Sequence, residues 1–138
     1  MISKILLVFV GMLLVPFLFN TSDVPSPQDF IEEKDILLGD GVICVYGDYI
    51  VGRIADTKSM DPTVDSTSTV LIKYTQDFDD ISIGDIIAYG DAEYGFISHR
   101  VIKKYNDSVV VQGDNNMFPD KYKVHKNAIA GVIVGIIY

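Results

Sequence analysis

Apolar positions follow two different patterns along this chain. Residues 5–19 run for fifteen positions without a polar side chain and without an amphipathic period. From residue 40 onward the apolar residues come in short runs broken by Gly, Asp, Asn and Pro, as expected of strands separated by turns. The type of apolar residue changes at the same place: residues 40–138 hold 26 Val or Ile and one Leu, Leu71, whereas residues 1–38 hold seven Leu. Helices favour Leu, and the pleated surface of a strand favours β-branched side chains. The pattern therefore predicts a mainly β domain, with strands over 41–46, 49–55, 69–74, 85–89, 95–105, 108–112 and 129–137. Gly47-Asp48 is the one tight turn read between these runs, and it predicts that the first two pair as a hairpin. Residues 128–138 are uncharged and apolar, but eleven residues are too few to cross a bilayer as a helix.

The first apolar stretch is long enough to cross. With Met1 and a snorkelling Lys4 included it reaches 19 residues, about 28 Å of helix against a hydrocarbon core of about 30 Å. A cleavable signal peptide is the competing reading, but it needs small residues at its cleavage site, and Asn20-Thr21-Ser22 supplies them poorly. Residues 1–19 are thus expected to be a transmembrane anchor. Lys4 is the sole charge in residues 1–22, which orients the N-terminus to the cytoplasm and the bulk of the chain to the extracytoplasmic or lumenal face. Residues 20–39, with Pro25 and Pro27, read as a juxtamembrane linker, within which 29–38 reads as a short helix near the membrane surface. Residues 40–138 form the single folded domain.

Charge and cysteine content narrow the function classes. Beyond residue 22 the chain carries 10 basic and 19 acidic residues, and an acidic surface without basic clusters excludes nucleic-acid binding, which depends on neutralising phosphates. The lone cysteine, Cys44, permits no intramolecular disulfide and no thiolate zinc site; inside Val42-Ile43-Cys44-Val45 it reads as a small buried hydrophobe. There is no His-Glu-x-x-His, no Gly-x-x-x-x-Gly-Lys and no Gly-x-Gly-x-x-Gly, and His99 and His125 are the two histidines. No metal and no cofactor are expected.

What remains is a set of polar groups at strand ends. Thr57-Lys58-Ser59-Met60-Asp61-Pro62 follows one strand, Ser98-His99-Arg100 lies within another, and Gly113-Asp114-Asn115-Asn116 with Asp120 follows a third. Acyl transfer needs a hydroxyl to attack, an imidazole to take its proton and a carboxylate to orient the imidazole. Spacing alone does not single out such a triad among the many Ser and Asp residues.

The order of these segments resembles the type I signal peptidases of the archaeal and endoplasmic-reticulum type. That family has a Ser-Met-x-Pro motif, here Ser59-Met60-Asp61-Pro62 followed by Thr63. It has a Gly-Asp before an apolar strand, here Gly84-Asp85-Ile86-Ile87-Ala88-Tyr89; a His-Arg-Val, here His99-Arg100-Val101; and a Gly-Asp-Asn-Asn with a later Asp, here Gly113-Asp114-Asn115-Asn116 and Asp120. The closing strand carries Gly131 and Gly135. The match runs in order over about 90 residues, from Ile50 to the C-terminus.

The resemblance implies a compact signal-peptidase-like β domain with one N-terminal transmembrane helix. It implies Ser59 as nucleophile and His99 as general base, where bacterial-type relatives place a lysine. An aspartate orients His99: Asp120 by its place six residues beyond the motif Asp, with Asp114 as the alternative or a supporting residue. Thr57 and the Ser59 backbone N–H would form the oxyanion hole. One position departs from the family, which usually has glycine where this chain has Lys58. The plainer readings are a loop serine at Ser59, a core histidine at His99, a structural Arg100, a turn aspartate at Asp114, a surface His125 and a solvated loop at Asp77, Asp79 and Asp80.

The implied protein is a single-pass membrane serine endopeptidase that removes N-terminal signal peptides from exported preproteins, with preproteins and membrane lipid as partners. The alternatives are a processing protease dedicated to one surface protein, and a non-catalytic membrane-tethered β domain of the same fold.

Overall fold

The described residues form two sheets. The computed structural model describes residues 27–75, 77–91 and 95–138; the expected anchor at 1–19 and the linker up to residue 26 lie outside the described residues. Among the described residues no helix is long and apolar enough to cross a membrane, and the helical elements are short 3-10 turns at Glu33–Asp35, Phe78–Asp80 and Lys126–Ala128.

The first sheet is a hairpin of β1 (Ile36–Gly39) and β2 (Val42–Val45), in register from Ile36 opposite Val45 to Gly39 opposite Val42. Three sequence expectations are corrected here. Residues 29–38 are not a helix, because Asp40-Gly41, a strong two-residue hairpin signal with Gly41 at φ +76°, folds β1 back onto β2. Gly47-Asp48 does not join β2 to the next strand: two-residue hairpin turns place their first central residue near a φ of about +60°, and Gly47 sits at +150°. Cys44 is exposed rather than buried, because almost every side chain of this two-stranded sheet faces solvent.

The second sheet holds seven strands, β3 (Tyr49–Arg53), β4 (Thr69–Lys73), β5 (Ile86–Asp91), β6 (Gly95–Lys104), β7 (Ser108–Gln112), β8 (Val124–His125) and β9 (Ile129–Ile137). Their spatial order is β3-β4-β9-β5-β6-β7-β8, with every neighbouring pair antiparallel. The mainly β architecture follows from the Val/Ile content, since β-branched side chains suit a strand, and successive side chains on a strand face opposite sides. On β5 and β9 this alternation feeds two cores. Ile87, Tyr89 and Val132 join Ile81, Val101, Val109, Val111 and Val124 on one side, while Ile86 and Ile133 join Met60, Val64 and Val70 on the other. Each fully buried Val or Ile stabilises the fold by about 1.5–3 kcal/mol.

Candidate active site

Ser59 lies on the loop between β3 and β4, and the residue after it fixes that loop. Met60 (2% exposed) and Val64 (1% exposed) insert into the second core, so the nucleophile candidate stands between buried anchors and the surface. His99 lies on β6, an interior strand paired with β5 and β7, opposite Ile87 of β5, and is 7% exposed. Asp114 and Asp120 belong to the irregular segment between β7 and β8.

The structure brings three of the expected residues into one line. His99 Nε2 is 3.1 Å from Ser59 Oγ, and His99 Nδ1 is 2.8 Å from Asp120 Oδ2. An ionised carboxylate can only accept hydrogen bonds, so Nδ1 carries the proton and Nε2 turns its lone pair to the serine hydroxyl. That is the arrangement in which an imidazole takes a proton from an attacking hydroxyl.

Thr57 joins the same group. Its Oγ1 is 3.0 Å from Ser59 Oγ, and the Ser59 backbone N–H points to it over 3.5 Å. This last contact is at the limit of a hydrogen bond, so the amide is held only weakly by its own chain.

Asp114 occupies a different place. Its carboxylate takes a forked pair of bonds from Arg100, Nε to Oδ1 at 2.8 Å and Nη2 to Oδ2 at 2.6 Å, and a third from Thr63 Oγ1 at 2.6 Å. Burial alone would raise its pKa, but the bonds from Arg100 and then Thr63 outweigh it and hold the carboxyl below the ordinary range. The bond to Asp114 in turn raises the Arg100 guanidinium further. A third Arg100 bond, to the Gly84 carbonyl at 2.7 Å, ties this pair to the Gly-Asp turn. Asp85 of that turn is fully buried, its carboxylate accepting from the backbone N–H groups of Ser82 (2.8 Å) and Gln28 (2.7 Å).

The Gly113–Asn116 turn presses directly against the serine loop. A Cβ on Gly113 would lie 2.5 Å from the Ser59 carbonyl oxygen, so no side chain fits there. Asn115 donates its backbone N–H to Ser59 O (2.9 Å) and its side-chain amide to Lys58 O (3.0 Å). Lys58 itself takes φ +60°, a left-handed conformation that glycine adopts at no steric cost and other residues rarely adopt. Its side chain is exposed, with Nζ 3.5 Å from Asp56 Oδ1, and does not enter the hydrogen-bonded group.

An open apolar groove of about 610 Å³ leads to Ser59 and His99, lined by Ile50, Ile54, Val70, Ile72, Ala88 and Phe96 among others. His125 is exposed and lies on β8, with Nδ1 3.9 Å from Asp107 Oδ2. Asp77 caps its own 3-10 turn by accepting from Asp79 N–H, and among the described residues no cluster of His, Cys, Asp or Glu is arranged to hold a metal.

One member of the site was not anticipated from the sequence. The Tyr89 hydroxyl donates to Asp120 Oδ2 at 2.6 Å and lies 3.3 Å from His99 Nδ1. A tyrosine inside an apolar strand reads as core, and its ring is indeed 4% exposed; the available signal was that a buried Tyr hydroxyl needs a partner. Comparison of the chain with protein-family models, with curated proteins and with solved structures finds no match.

Proposed function

We propose that this chain is a membrane-anchored serine endopeptidase that removes N-terminal signal peptides, with Ser59 as nucleophile and His99 as general base. The observation that carries the reading is the continuous line from Ser59 Oγ through His99 to Asp120, with separations of 3.1 and 2.8 Å. Supporting it, the line sits at the end of an apolar groove in a mainly β domain, and its residues belong to the ordered motifs that resemble the archaeal and endoplasmic-reticulum signal peptidases.

In this mechanism Ser59 Oγ attacks the scissile carbonyl as His99 Nε2 takes its proton, and Asp120 stabilises the resulting imidazolium. The Ser59 N–H and the Thr57 hydroxyl receive the oxyanion; each such donor is typically worth about 10²–10³ in rate. His99 then protonates the leaving amine, and water attacks the acyl-enzyme with His99 again as base. The preprotein lies extended in the groove, its small apolar side chains against Ile54, Val70 and Ala88. The N-terminal apolar stretch spans the bilayer with its N-terminus in the cytoplasm. It holds the catalytic domain on the outer face, where signal peptides emerge, and so raises the effective substrate concentration.

The test uses the full chain in detergent micelles or liposomes with a model preprotein. Ser59→Ala and His99→Ala are each expected to abolish cleavage while the melting temperature stays near that of the parent. Near-normal cleavage by either variant would contradict the assignment.

A further inference from the structure

Asp120 lies in a segment without regular secondary structure. Its backbone is tied down by one hydrogen bond, from its N–H to the Val111 carbonyl at 2.9 Å. Its side chain retains rotational freedom about two bonds unless something outside the loop fixes it. Besides His99 itself, Tyr89 is such a group. The phenol stands on β5, which is hydrogen-bonded on both sides, to β6 and β9. It bonds the same carboxylate oxygen, Oδ2, that faces His99 Nδ1.

We propose that Tyr89 is a positioning residue of the site: from the rigid centre of the sheet it fixes the rotamer of Asp120 and, through it, the tautomer of His99. This deepens the peptidase reading and depends on it for its catalytic consequence.

The tautomer argument is one of counting protons. The phenol has a single proton, and the 2.6 Å contact commits it to the carboxylate. Towards His99 Nδ1, 3.3 Å away, the phenol oxygen then offers only lone pairs. Both polar atoms facing Nδ1 are acceptors, so Nδ1 must donate and Nε2 is left to accept from Ser59. A phenylalanine here would leave Oδ2 with one donor and free the carboxylate to swing towards solvent, to which the Asp120 side chain is already 22% open. Burial, and then the bond to Asp120, push the Tyr89 phenol far above its ordinary range, so its proton stays in place wherever a histidine base operates.

The experiment compares the full chain with its Tyr89→Phe variant, which keeps the ring. Tyr89 does not line the groove, so kcat is expected to fall by about ten- to a hundredfold, the worth of one hydrogen bond to a charged group, with KM unchanged. In an Asp120→Asn background the same substitution should change kcat less than about twofold, since the two act as one unit. Unchanged kcat in Tyr89→Phe, or losses that multiply in the double variant, would overturn the proposal.

A second readout is independent of activity. Ring ¹⁵N shifts of His99, followed over a pH series to the neutral plateau that they themselves define, should report the Nδ1–H tautomer alone in the parent and a mixture in Tyr89→Phe; an unchanged tautomer would refute the role. If the parent cleaves no preprotein, the peptidase reading fails while the ¹⁵N comparison still decides the role of Tyr89. Should Tyr89→Phe fail to fold, the parent alone is decisive: a slowly exchanging Tyr89 hydroxyl proton close to the His99 Nδ1 proton is expected, and a freely exchanging one would count against it.

Discussion

His99 Nε2 meets Ser59 Oγ at 3.1 Å although 40 residues separate them in the chain. The meeting is not made by either segment alone. Met60 and Val64 sink the serine loop into one core, β6 carries His99 between β5 and β7, and Asn115 clamps the loop by bonding both Lys58 and Ser59.

The two aspartates are expected to separate by experiment. Asp120→Asn removes the acceptor that fixes the His99 tautomer, so kcat should fall by about 10³–10⁴ with little change in melting temperature. Asp114→Asn breaks the fork to Arg100 and should cost about 2 kcal/mol of stability, with a smaller effect on kcat. Steady-state kinetics and thermal denaturation of the pair check this; the reverse assignment would exchange the two phenotypes.

Asp114 also sets an acid limit. Its carboxyl is held below the ordinary value of 3.8 in the folded state, so across the acid range the native protein binds fewer protons than the unfolded chain. The resulting stability is fully present above about pH 4 and is lost as pH falls through the lower folded value. Denaturant titrations from pH 6 down to about pH 2 should show a shallower slope in Asp114→Asn than in the parent. Some slope remains, because hydrogen bonds from Thr67 and Ser68 lower Asp65 as well.

Gly113→Ala tests the clamp. The added methyl would stand 2.5 Å from the Ser59 carbonyl oxygen, backbone against backbone, so one of the two loops must shift. A displacement of about 1 Å at a nucleophile costs on the order of a hundredfold in rate, and the overpacking costs about 1–3 kcal/mol. Activity measured well below the melting temperature of the variant separates the two effects.

Lys58→Gly has the opposite expectation. At φ +60° the lysine backbone carries a steric cost that glycine does not. After the extra chain entropy of glycine is subtracted, a gain of about 0.5–1 kcal/mol in stability is expected, with catalysis retained because the lysine side chain points to solvent. Chemical denaturation reads the gain. Loss of activity would show that the ammonium itself takes part.

The legibility of this protein in its sequence differs from one segment to the next, for physical reasons. The strands at 69–73, 95–104, 108–112 and 129–137 were visible because β-branched runs bounded by turn residues have few other ways to bury themselves. The β1–β2 hairpin is hard to see in the sequence because Ile36-Leu37-Leu38 follows a string of charges and resembles a helix end, while the deciding turn, Asp40-Gly41, falls where the expected linker gives way to the expected domain. Lys58 stood out in the sequence only as a departure from a motif; its left-handed backbone explains why glycine suits the position. Asp114 and Asp120 lie six residues apart in one irregular loop, and composition cannot say which carboxylate turns inward. Tyr89 was hidden because its partner is 31 residues distant and the ring, not the hydroxyl, dominates the pattern of β5.

The central claim is the use of Ser59 on exported proteins, and the most direct measurement is the N-terminus of the product. Full-length chain in liposomes is incubated with several unrelated preproteins, and the mature fragments are sequenced beside a Ser59→Ala control. The account predicts one cut per preprotein at the end of its signal peptide, absent from the control. Cuts that persist in Ser59→Ala, or no cleavage of any preprotein by the parent chain, would contradict it.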